Sequence, residues 1–140
     1  MARPKPKFVL FAQNATYDKL HQVETLGLTA AAMGKDVIVI LLFWTIKKLA
    51  EGKFDQIDFP PEYAGSAEEV ARLLKDKNVP KISEMLEEAK LVENIPIIAC
   101  SAGLEYMGLD GEVVAKKVDE VMGLPAILVL TADAETKLFI

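Results

Sequence analysis

The only cysteine of the chain, Cys100, follows the apolar run Ile95–Ala99 and precedes the small residues Ser101–Gly103. This pattern predicts a buried strand that ends at the thiol and a helix that begins after it. Open α/β sheets bind ligands at the carboxyl ends of their strands, and a helix N-terminus favours the thiolate, which is the reactive form. Free cysteines are also often buried core residues, so a reactive and a structural Cys100 are equal alternatives at this point.

Few other side chains could share this chemistry. His21 is the only histidine, and a base role would require it to lie within hydrogen-bond reach of the thiol. Lys47 and Lys48 could add positive charge, but we expect both on the solvated face of their helix. One cysteine and one histidine cannot form a zinc site within one chain, and neither a dinucleotide-binding nor a P-loop motif is present. We therefore expect no metal and no cofactor.

Composition limits the classes of protein to consider. The 140 residues carry a net charge of −5 and are 51% hydrophobic, which predicts one domain spanning residues 1–140. Without a basic stripe, a nucleic-acid partner is not expected. The single cysteine fits a reducing compartment, and no apolar run reaches the length of a membrane span, so we expect a cytoplasmic protein. The surplus of apolar residues predicts a homo-oligomer.

Apolar runs and turn residues outline the elements that position the thiol. Strands are predicted at Phe8–Ala12, Val37–Phe43, Ile95–Ala99 and Thr136–Ile140. Helices are predicted from Asp18, as N-cap, to Gly34; at Trp44–Glu51; from a Ser66–Glu69 capping box; from Pro80; and from Asp110 to Gly123 with an apolar stripe of Val114, Val118 and Val121. The segment Lys53–Gly65 is predicted to be an ordered loop, either a lid or a subunit contact.

The segment Pro125–Ala132 could by periodicity be a strand or a helix. Two strands joined only by Thr131–Glu135 could not be parallel, because a parallel crossover needs more residues, so we predict a helix there. The fold class is then α/β, a mainly parallel sheet covered by helices on both faces. The loops after the first three strands open on one edge and bring together Asn14, Thr16, Phe43–Lys48, Cys100 and Ser101.

The segment Ile97–Leu109 resembles the DsrE/DsrF/TusD-like family of sulfur-relay proteins. Its members show an apolar strand, a cysteine, and an amphipathic turn ending in a Met-Gly or Leu-Gly pair before an apolar residue. The remaining predicted elements fall in the same order, so the resemblance covers nearly the whole chain. The pair Phe43-Trp44 resembles the DsrE-like branch often described as peroxiredoxin-like. Relatives often have Met-Ser-Met-type residues after the cysteine, where this chain has Ser101–Gly103.

The resemblance implies a DsrEFH-like fold, flavodoxin-like in outline, in a trimer, tetramer or hexamer. It also implies that Cys100 carries sulfane sulfur as a persulfide and relays it from a sulfur-donor protein to a sulfur-acceptor protein, as a carrier or a sulfurtransferase. Ser101 and Ala102 would stabilise the charged sulfur through their amides, and Asn14 and Thr16 could contact it from the first loop. The alternatives are a small-anion or nucleotide binding module and a regulatory oligomeric subunit, both with a structural Cys100.

Overall fold

Five short strands form one parallel sheet in the computed structural model, which describes residues 3–140. They are β1 (Lys7–Ala12), β2 (Asp36–Leu41), β3 (Ile97–Cys100), β4 (Glu120–Met122) and β5 (Thr136–Phe139). Their order across the sheet is β4-β3-β2-β1-β5, and every neighbouring pair is parallel. The last strand therefore lies on the far side of β1, so the connection from β4 to β5 crosses the sheet.

Among residues 3–140, seven α-helices and one 3-10 helix connect the strands. They are α1 (Tyr17–Ala32), α2 (Trp44–Ala50), the 3-10 helix Pro61–Ser66, α3 (Ala67–Asp76), α4 (Ile82–Leu91), α5 (Ser101–Tyr106), α6 (Gly111–Ala115) and α7 (Leu124–Thr131). Consecutive strand residues point to opposite faces, and Val9–Ala12, Val37–Leu41 and Ile97–Cys100 are all buried. Both faces of the central strands are therefore covered, and the predicted α/β fold class is confirmed.

The predicted helix at Pro125–Ala132 is confirmed as α7, and the predicted terminal strand is confirmed as β5. The strand boundaries differ from the prediction by one or two residues. The second strand ends at Leu41 instead of Phe43, and the third begins at Ile97 instead of Ile95 and ends at Cys100. The segment predicted as a loop up to Gly65 is irregular only as far as Pro60, because the 3-10 helix Pro61–Ser66 follows.

The predicted helix from Asp110 to Gly123 is wrong in its second half. Helix α6 ends at Ala115, and Glu120–Met122 forms β4, which pairs with Ile98–Cys100. Sequence periodicity missed this strand because it is a three-residue edge strand with mostly exposed side chains, so it has no continuous apolar run. Asp119 fixes the start of β4 beside β3, because its Oδ2 accepts a 2.7 Å hydrogen bond from the Ile97 amide.

The predicted N-cap of α1 is also wrong. Thr16 occupies the N-cap position without a side-chain capping bond, and Asp18 lies in the first turn. A distant residue supplies the missing acceptor, because the amide of Tyr17 donates to Asp58 Oδ1 at 2.8 Å. The first turn of α1 is therefore capped from the loop that follows α2.

The capping box predicted at Ser66 does not form. Ser66 ends a 3-10 helix with helical backbone angles (φ −91°, ψ −4°) and makes no capping bond, whereas an N-cap residue is normally extended. A backbone-capping glutamate occurs instead at α4, which begins at Ile82 and not at Pro80. There Glu84 Oε2 accepts a 2.9 Å hydrogen bond from the Lys81 amide.

Glu24 makes the stability of this fold depend on pH. Glu24 lies on α1 and is only 5% exposed. Burial raises the pKa of its carboxyl from 4.5 to about 8. The folded chain thus prefers the protonated carboxyl, so the contribution of Glu24 to stability is most favourable below pH 4.5 and becomes less favourable as the pH rises to about 8. We expect Glu24→Gln to raise the free energy of unfolding by about 2–3 kcal/mol near pH 7 and to have little effect near pH 4.

Urea denaturation at the two pH values measures this difference. Glu88→Gln on α4 is the matched control, because Glu88 is exposed and its replacement should leave the pH dependence unchanged. An equal effect of Glu24→Gln at both pH values would contradict the ionisation account.

Candidate functional site

Cys100 is both the last residue of β3 and the N-cap of α5, with an extended backbone (φ −71°, ψ 122°). It pairs with Met122 of the edge strand β4. The thiol therefore lies at the carboxyl end of a parallel strand, where the sequence pattern placed it. The residue is only 3% exposed, so the thiol is covered in this conformation.

The thiol points away from α1. A Cβ on Gly27 of α1 would lie 3.3 Å from Leu10 Cδ1, so α1 packs on the sheet face that carries Leu10. The strand register aligns Leu10 with Val39 and Val39 with Ile97, and these residues share that face. Cys100, three positions after Ile97, lies on the opposite face.

Helix α5, which begins directly after Cys100, packs against the start of α2 through a close backbone approach. Its only buried residue is Gly103, where a Cβ would lie 3.1 Å from both Ile46 Cδ1 and the Phe43 amide nitrogen. A side chain there would force Ile46 or the Phe43 backbone to shift by a few tenths of an ångström, which favours glycine at this position. Ser101 is exposed and Ala102 is half-buried. Their amides lie in the first turn of α5, where backbone amides have no acceptor within the helix.

A second feature of this edge is an open cleft of about 590 Å³ beside the ends of β1 and β2. Asn14 and Thr16 line it, together with Trp44 and four lysines: Lys19, Lys47, Lys48 and Lys53. Cys100, Ser101 and Ala102 are not among its lining residues. The structure thus groups the predicted site residues into two places, the thiol with the start of α5 and the cleft with the first loop.

Lys48 is the buried anchor of the cleft. Its side chain is 8% exposed, and its ammonium donates 2.7 Å hydrogen bonds to the Ala15 carbonyl and to Asp58 Oδ1. The expectation that Lys48 lies on a solvated face is therefore wrong. Little in the sequence indicates this burial, because Ile46 and Leu49 have the apolar spacing of a buried stripe and Lys48 is a charged residue beside it.

The remaining charges give the cleft a positive excess. Glu51 accepts from Lys53 at 3.0 Å and lies 3.9 Å from Lys47, and Asp58 neutralises Lys48. Among residues 3–140, Lys19 has no ion-pair partner. Four lysines thus face two carboxylates in a protein whose net charge is negative. The sequence does not reveal this cluster, because the four lysines come from three separate segments.

His21 lies outside both places. Its ring centroid is 5.8 Å from that of Tyr17, and both residues line a separate cavity of about 260 Å³ together with Phe59. Cys100 does not line this cavity. In the described part of the chain no three His, Cys, Asp or Glu residues are grouped as metal ligands would be.

Comparison with known proteins supports the fold. No protein-family model matches the chain, and no curated protein does. Among solved structures, the YchN protein from E. coli is similar over 96% of this chain and 99% of its own, with 17% sequence identity and a TM-score of 0.58. The chain shares the fold of YchN. This likeness supports the predicted DsrE-like fold and, at this identity, shows the fold alone.

One further property concerns membranes. Within residues 3–140, no helix combines the length and the apolar character that a membrane crossing requires.

Removing the Asp58 carboxylate should destabilise the fold. Asp58→Ala leaves the Lys48 ammonium buried without its charged partner. It also removes the side-chain acceptor of the Tyr17 amide, which keeps only its 2.9 Å bond to the carbonyl of residue 58. Together these losses should lower the free energy of unfolding by about 2–3 kcal/mol. Chemical denaturation measures the change.

Asp133→Ala is the matched control, since it also removes an aspartate paired with a lysine, Lys7, but at an exposed position. Exposed pairs contribute little, so this variant should unfold like the parent. If Asp58→Ala is equally harmless, the cap and the buried pair are not what holds this loop.

Proposed function

We propose that this protein is a sulfur carrier that holds sulfane sulfur as a persulfide on Cys100 and passes it to an acceptor protein. The observation that carries this proposal is the position of the only thiol, at the carboxyl end of β3 and the start of α5. The resemblance of Ile97–Leu109 to sulfur-relay proteins assigns the persulfide to this cysteine. The chain has the same fold as YchN, and this agrees with the fold that the resemblance implies.

The proposed transfer consists of two exchanges of the same kind. The Cys100 thiolate attacks the outer sulfur of a donor persulfide, the donor's S–S bond breaks, and the donor thiolate leaves. An acceptor thiolate then attacks the outer sulfur of the Cys100 persulfide and releases the Cys100 thiolate. Like thiol–disulfide exchange, this needs no resolving cysteine and no cofactor. The amides of Ser101 and Ala102 stabilise the charged sulfur.

Burial of the thiol means that transfer requires local opening. Helix α5 begins directly after Cys100 and has six residues, of which only Gly103 is fully buried, while Ala102 and Leu104 pack partly buried against the core. Its displacement therefore exposes less apolar surface than global unfolding and costs less. We propose that a partner protein binds the opened form. The same burial favours a second candidate function, a regulatory oligomeric subunit in which Cys100 is a core residue.

Intact-protein mass spectrometry distinguishes these two candidates. After incubation with polysulfide, thiosulfate or a persulfidated sulfurtransferase, we expect a mass gain of one sulfur atom that a reductant removes. Cys100→Ser should show no gain, and Ser101→Ala, the control for disturbance of α5, should keep it. No adduct with any donor, from a thiol that also resists alkylation in the folded state, would support the structural role.

We also propose that the protein forms a homo-oligomer in the cytoplasm. Helix α7 is apolar on every side, and its residues Leu124, Leu128 and Val129 are exposed. A helix that is apolar all round is normally buried, so a second copy that covers it would remove this surface from water. The resemblance implies a trimer, a tetramer or a hexamer, with donor and acceptor proteins as further partners.

Analytical ultracentrifugation tests this assembly. Leu128, which is 65% exposed, lies on the apolar helix, and Leu128→Lys should shift the protein towards monomer because a lysine cannot be buried there cheaply. Leu91→Lys is the matched control, since Leu91 is 78% exposed at the end of α4. A parent protein that sediments as a monomer would exclude the oligomer.

A further inference from the structure

The lysine-lined cleft has the size and position of a ligand site. Its volume of about 590 Å³ falls within the range of about 300–1,000 Å³ that is typical of small-molecule pockets. It lies at the carboxyl ends of β1 and β2, the edge at which open α/β sheets bind ligands. Its lining is distinct from the segment around Cys100, so persulfide chemistry leaves it without a role.

The charges of the cleft favour an anion. Lys48 is neutralised by Asp58 at 2.7 Å, but Lys19 is unpaired among residues 3–140, and Lys47 lies 3.9 Å from its carboxylate partner, Glu51. Both lysines can therefore reach a bound anion without first breaking a close ion pair. Phosphate groups are typical ligands of lysine ammonium groups, because each ammonium is a compact charge with three donors.

The cleft also contains two uncharged groups that suit the part of a ligand that is not an anion. The indole of Trp44 lines the cleft, and the residue is 57% exposed, which leaves ring surface for stacking with a planar group. The hydroxyl of Thr16 is buried and has no hydrogen-bond partner within the described residues, although buried polar atoms usually have one.

The backbone at Trp44 is held in an unusual conformation. Phe43, directly before it, has φ 49° and ψ −108°, which lies outside the regions that L-residues commonly occupy. Its amide is fixed against α5, where Gly103 makes the close approach possible. Strained backbone of this kind persists where the surroundings enforce it, often at ligand sites. Here it starts α2 at the residue whose ring lines the cleft.

We propose that this cleft binds a phosphate-bearing molecule with a planar ring, of mononucleotide size. Lys19 and Lys47 contact the phosphate, and Trp44 stacks on the ring. A small inorganic anion would satisfy the lysines but would leave Trp44 and most of the volume unused. This proposal does not depend on sulfur transfer, because Cys100 does not line the cleft.

The fluorescence of Trp44 provides a direct test, because it is the only tryptophan in the chain. The full-length protein is titrated with AMP, GMP and UMP, and separately with pyrophosphate and adenosine, without any sulfur donor. At least one nucleotide should bind and change the emission, and its affinity should fall as salt is added. Pyrophosphate and adenosine, followed by calorimetry, should each bind about tenfold or more weakly, because each lacks one of the two groups.

Three variants identify the contacts. Lys19→Gln should weaken nucleotide binding about fivefold to tenfold, whereas Lys116→Gln, which removes an exposed charge outside the cleft, should leave it unchanged. By calorimetry, Trp44→Leu should weaken nucleotide binding and not pyrophosphate binding. The proposal is overturned if no nucleotide binds at millimolar concentration, if Lys116→Gln weakens binding as much as Lys19→Gln, or if Trp44→Leu has no effect.

Discussion

The ammonium of Lys48 holds together the segments that form the carboxyl edge of the sheet. It donates to the Ala15 carbonyl after β1 and to Asp58 in the loop after α2, while Asp58 also caps α1 through the Tyr17 amide. A buried ammonium is costly unless it is paired and hydrogen-bonded. The loop that carries Asp58 must therefore stay at this edge, and its position gives the cleft one of its walls.

The same edge carries two environments with opposite physical character. Cys100 is covered, faces away from α1 and lies at the start of α5, whose only fully buried residue is Gly103. The cleft is open, positively charged and lined by an exposed indole. Phe43 and Trp44 lie between the two environments. The Phe43 backbone packs closely against Gly103, and the Trp44 ring lines the cleft. A covered thiol suits chemistry that requires opening, whereas a permanently open cleft suits reversible binding.

Much of the fold could be predicted because local patterns and topology agree. The apolar runs of β1, β2 and β3 are continuous, as expected for strands covered on both faces, and helix α7 was predicted because a short connection excludes a parallel strand. The strand β4 could not be predicted, since a three-residue edge strand with mostly exposed side chains carries no pattern. The Asp58 cap and the lysine cluster depend on contacts between residues far apart in sequence, for example 41 positions between Tyr17 and Asp58.

The reaction rate of Cys100 with a thiol reagent, measured at increasing urea below the unfolding transition, tests the proposed carrier role most directly. If α5 opens locally, the native protein reacts faster than it unfolds, and the rate depends only weakly on urea because little surface is exposed. A rate that is negligible until the protein unfolds, with the full urea dependence of global unfolding, would contradict this account. Cys100 would then be a core residue that no sulfur donor reaches in the folded protein.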